Sequence, residues 1–70
     1  MTDGAALEST IKSSGISITF IADKLGCSRN RIYSIISGSE CSASEIVELS
    51  NILHLSKSKR DEIFLHQSVN

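Results

Sequence analysis

Residues 18 to 37, ITFIADKLGCSRNRIYSIIS, constrain this chain more than any other stretch. Two short segments of helical periodicity flank Gly26-Cys27-Ser28, which leaves room for a tight turn and nothing longer. Ala22, Gly26 and Ile32 stand at the spacing of a helix-turn-helix. Ile21, Leu25, Cys27, Ile32 and Ile35 fall on one side, so the two helices can pack on a common core. Arg29, Asn30, Arg31 and Ser34 then project outward from the second helix.

The rest of the chain supplies helices for that pair to pack against. Leu7 and Ile11, four apart, mark an amphipathic helix over 5–14, with Gly15 as a left-handed cap. Ser17 caps a helix over 18–25 and Ser28 one over 29–37, since a hydroxyl accepts from a free N–H of the first turn. Gly38 closes the latter. Ser42 and Glu45 form an S-x-x-E capping box ahead of Ile46, Leu49, Ile52 and Leu53, a helix over 43–54. Ser56 opens a last helix over 57–67 that buries Ile63 and Phe64. There is no proline, no repeat, no low-complexity run and no convincing strand alternation. The expected structure is all-α: a compact five-helix bundle in one domain, 1–70. Its expected core is Leu7, Ile11, Ile21, Ala22, Leu25, Ile32, Ile35, Leu49, Ile52 and Phe64.

Composition narrows the function classes. Apolar residues make up 40% of the chain, too many for a disordered tail. Two cysteines are too few for a disulfide scaffold, and Cys27 reads as a small core residue. Neither a leader nor a long apolar run is visible, so the expected location is the cytoplasm, away from membranes. His54 and His66 have no Cys or His at ligand spacing, so no metal or other cofactor is expected. Ser9, Ser13 and Ser14 read as polar surface and cap residues rather than nucleophiles. With no Ser–His–Asp constellation and little room for a water-excluding pocket, neither catalysis nor a small-molecule substrate is expected.

Charge is informative through its distribution. Seven basic and eight acidic residues give a net charge of −1, a poor total for neutralising phosphates. Yet Lys24, Arg29 and Arg31 share the stretch from Lys24 to Ser39 with no acid, and Lys57, Lys59 and Arg60 form a second basic cluster. That cluster opens a helix, the wrong end for the macrodipole, which hints at an anionic partner. The acids sit mainly at Asp3, Glu8, Glu40, Glu45 and Glu48. Such a molecule is polarised, with modest DNA affinity on its best face.

The stretch I-A-D-K-L-G-C-S-x-x-x-I-x-x-I-I-S-G, Ile21 to Gly38, resembles the phage repressor and Cro class of helix-turn-helix proteins. The likeness extends over about 5–66: S-A-S-E-I-V-E-L-S-N-I-L-H-L-S resembles that family's fourth helix and its lead into the fifth. E-I-F-L at Glu62 to Leu65 is similar to small regulators in prophages of Gram-positive bacteria. The resemblance implies a role in the choice between lysogenic and lytic growth inside a bacterial host. It places Arg29 and Asn30 where the family reads base edges, with Ser34 one turn on. Ser17, Arg31 and Ser37 take positions suited to phosphate, and Tyr33 one suited to phosphate or sugar. Ser28, at the start of the same helix, completes the DNA-facing set. The chemistry agrees, since Arg can hold guanine O6 and N7 and Asn can hold adenine N6 and N7.

Two positions depart from the family. Ile18 stands where Gln commonly braces a backbone phosphate, and Phe20 where a polar or charged residue is usual. Apolar side chains there either pack into the core against the first or fifth helix, or make a protein contact with Arg29, Arg31 and Tyr33, the partner being a second copy of this chain or a cognate repressor. Two functions follow as expectations. The first is a Cro-like regulator reading operator double-stranded DNA, as a dimer with half-sites about one helical turn apart. The second is a modulator or antirepressor that keeps the fold but binds a cognate phage repressor, masking its DNA face or joining it on DNA.

Overall fold

The computed structural model describes residues 2–65. These residues form five α-helices and no strands: α1 Gly4–Ser14, α2 Ile18–Leu25, α3 Arg29–Ile36, α4 Ala43–Ile52 and α5 Lys57–Phe64. The serine caps lie where the sequence puts them. The hydroxyls of Ser17, Ser28, Ser42 and Ser56 accept from the N–H groups of Phe20, Arg31, Glu45 and Lys59. Each such cap contributes about 1 kcal/mol. Both halves of the Ser42–Glu45 capping box are formed.

Several helix ends differ from expectation. α1 starts at Gly4 because the Asp3 carboxylate accepts from the Ala6 N–H at 3.0 Å. α3 stops at Ile36, leaving Ser37 as its C-cap. α4 stops at Ile52 rather than 54, because His54 takes a left-handed φ of 54° and the Leu55 N–H turns back to the Ser50 carbonyl at 2.9 Å. Gly26, the C-cap of α2, and Gly38, just past the C-cap of α3, take positive φ values of 72° and 112°, where a Cβ would be strained. α5 ends at Phe64. Residues 66 and 67 of the expected last helix, with His66, lie outside the described residues.

The main helix contacts close a ring: α5 against α1, α1 against α3, α3 against α2, α2 against α4, and α4 back against α5. Inside it are Leu7, Ile11, Ile21, Ala22, Ile32, Ile35, Leu49, Leu53, Ile63 and Phe64. Leu25 and Ile52, expected in the core, are only partly buried and pack against its edge. Both stand in the last turn of their helices; Leu53 fills the interior instead, and Ile63 is buried with Phe64 as the pattern of the last helix implies.

The start of the chain is strapped across the ring. The Asp3 N–H donates to the Ile63 carbonyl at 2.7 Å, and Thr2 is buried beside Cys41. Gly4 lies so close to α3 that a Cβ there would overlap the Ile36 carbonyl oxygen. The obstacle is backbone, so relief requires α1 to shift. Gly4→Ala is therefore expected to destabilise the domain by about 1–3 kcal/mol, the range for overpacking. A thermal melt unchanged by this substitution would show that α1 is not seated on α3.

Candidate functional site

α3 turns Ile32 and Ile35 into the core and leaves Ile36 partly buried beside them. At 100° per residue the opposite side carries Asn30, Tyr33, Ser34 and Ser37, with Arg29 at one margin and Arg31 at the other. Arg29, Asn30, Tyr33 and Ser37 are exposed. Ser34 is half-buried, and its hydroxyl is bonded to that of Ser39 at 2.7 Å. Ser17 and Ser28 are exposed caps whose hydroxyls accept from the backbone, so each keeps a proton to donate. No ion pair among the described residues involves Arg29.

Arg31 is different. Its Nε donates to Glu45 Oε2 at 2.9 Å, and its Nη2 donates to Glu45 Oε1 and to the Glu40 carbonyl, both at 2.8 Å. The side chains are 33% and 20% exposed. Such a fork on a carboxylate is a strong, charge-assisted arrangement. It joins α3 to α4 and fills most of the donors a phosphate would use. No local signal marks this pair, because the residues are fourteen apart and the capping box already accounts for Glu45.

Hydrogen bonding by Arg31 holds the Glu45 carboxyl down at about 2, against an ordinary 4.5. A depressed carboxylate pKa means that the stabilisation is complete above about pH 4.5 and fades as pH falls towards 2. Glu45→Gln keeps a cap-competent side chain but removes this titration. In an acid titration followed by circular dichroism, the wild type is expected to lose more stability across that window than Glu45→Gln. Equal losses would rule the pair out as a source of acid sensitivity.

On α2, Phe20 is 47% exposed and Tyr33 on α3 is 52% exposed. The Lys24 ammonium lies 5.5 Å from the centre of the Phe20 ring, within cation–π range. Phe20 and Lys24 form one wall of an open groove of about 480 Å³, completed by Ile16, Asn51, Ile52 and His54. Ile18, grouped with Phe20 from the sequence, is half-buried and packs against the core. The basic cluster of α5 is answered within its own helix: Lys57 and Arg60 approach Asp61, and Lys59 approaches Glu62. The hint of an anionic partner there is thus met by local acids.

No group of His, Cys, Asp and Glu among the described residues could hold a metal ion. No helix among them is long and apolar enough to cross a membrane. Comparison with known proteins gives no match: none to a protein-family model, none to a curated protein and none to a solved structure.

Proposed function

We propose that this protein is a regulator of a phage-type lysogenic/lytic switch that acts through a protein partner, the repressor of that switch, with the α2–α3 face as its contact surface. The observation that carries the reading is Phe20. An aromatic left 47% exposed at the start of a helix gains nothing from phosphates, but makes an anchor for an apolar protein surface. Tyr33 extends the same kind of surface on α3. The charge balance argues in the same direction. Of the three cations between Lys24 and Ser39, Arg31 is bound to Glu45 and Lys24 sits over Phe20. Arg29 and Lys24, whose charge a ring contact does not neutralise, are a weak electrostatic footprint for duplex DNA in a chain of net charge −1.

Direct, Cro-like reading of an operator is the second reading. It is favoured by the row of Arg29, Asn30 and Ser34 along the outward side of α3, where Arg and Asn have the donors to read guanine and adenine. The experiment that separates the two titrates labelled protein with the repressor and, separately, with operator duplex at low salt. Saturable binding to repressor without duplex supports the partner reading. Tight sequence-specific binding to duplex alone, with none to repressor, would replace it by the second.

A further inference from the structure

We infer that Glu45 acts as an internal phosphate mimic, occupying Arg31 and thereby setting the α3 face against duplex DNA as a partner. The inference rests on α3 being the partner-facing helix of the proposed function. Arg31 stands at the α4-side margin of the outward strip, beside Ser34, where a basic side chain flanking an inserted helix meets a backbone phosphate. Instead, its planar fork is matched by both oxygens of one carboxylate and by a backbone carbonyl, at 2.8 to 2.9 Å. A carboxylate presented in this way resembles two oxygens of a phosphate in charge and geometry.

The pair is also stiff. Glu45 is fixed at its base by the capping box, with the Ser42 N–H donating to Glu45 Oε1 at 2.9 Å and the Glu45 N–H to Ser42 Oγ at 3.2 Å. A phosphate finds only the Nη1 donors uncommitted unless it displaces a carboxylate that is already ordered, and in either case it meets that negative charge beside itself. The single acid turns a cation that would add to duplex affinity into a neutral strut, while Asn30, Tyr33 and Ser37 stay available for a protein. Glu45 is thus a specificity-determining residue that selects the class of partner without touching one.

The test uses the full chain and a duplex of arbitrary sequence. Glu45→Gln retains a capping side chain, since Gln serves in the box as Glu does, but gives up the charge. The variant is expected to bind duplex several-fold more tightly than wild type in about 50 mM salt. Its log–log salt dependence should steepen by about one unit, as one further phosphate contact requires. Adding Arg31→Met to Glu45→Gln should return the slope to the wild-type value. A Glu45→Gln slope equal to wild type in a folded protein would overturn the inference. So would a shift of the wild-type Arg31 Nε–H resonance on adding duplex, a readout that needs no variant. Repressor binding by the wild type is measured independently, so loss of the partner reading and loss of this one are told apart.

Discussion

Ile32→Ala is expected to unfold much of the population at ordinary temperature. Ile32 has no solvent exposure and sits on α3, which contacts both α1 and α2 around the ring. Truncations of fully buried isoleucine cost about 2–5 kcal/mol, in lost transfer energy and residual cavity. Small domains have little to spare against that loss. For a chain of this size each kcal/mol moves the melting temperature by about 4–8 °C, so the midpoint should fall by about 8 °C or more. A far-UV circular dichroism melt reads this directly. A midpoint within a few degrees of wild type would mean that Ile32 does not anchor α3, and the orientation of Arg29 and Asn30 would have to be rebuilt.

Phe20→Ser is expected to have the opposite profile, with an intact monomer and a failed partnership. The Phe20 ring is about half exposed, and its backbone N–H, which donates to Ser17 Oγ at 3.1 Å, survives the substitution. The fold loses a cation–π contact with Lys24 at an exposed site, worth about 0.5–1 kcal/mol. An aromatic anchor at the centre of a protein interface contributes about 2 kcal/mol or more, so affinity for the proposed partner, the repressor, should fall by about 30-fold or more. Calorimetry at fixed salt gives the affinity, and circular dichroism the fold. Unchanged affinity would remove Phe20 from the contact surface. A marked loss of helicity would make it part of the core.

The helices were legible because their signals are local. A serine three residues before the N–H it caps, a Ser-x-x-Glu box, and a glycine at the end of an apolar pattern can each be read without knowing what the helix touches. The apolar spacing likewise marked Ile21, Ile32, Ile35 and Leu49, whose burial is complete. What escaped the sequence depends on pairs far apart along the chain. The Gly4 seat on Ile36, the Thr2–Cys41 contact and the Asp3 N–H on Ile63 join the start of the chain to distant elements. So does Arg31 with Glu45, and it changes the site most, since a residue suited to phosphate from its position is satisfied inside the molecule. Leu25 and Ile52 show the converse error. Periodicity gives the side of a helix but not how far along it the covering elements reach. Ile18 and Phe20 departed from the family pattern together, yet the fold separates them, tucking one against the core and exposing the other.

The ring of contacts bears on how this molecule can be controlled. A bundle whose first or last helix lies loosely on the outside can be opened by peeling that helix away, and many switches work so. Here the first and last helices meet: α5 rests on both α1 and α4, and Asp3 is bonded to Ile63. No helix is outermost, and lifting any one of them uncovers the interior shared by the rest. In the proposed function a partner therefore meets a preformed frame, and the pattern of charge and aromatic surface already on display is what it has to recognise. Evolution of a new specificity in such a scaffold proceeds by repainting that surface, one exposed side chain at a time, with the frame beneath left as it is.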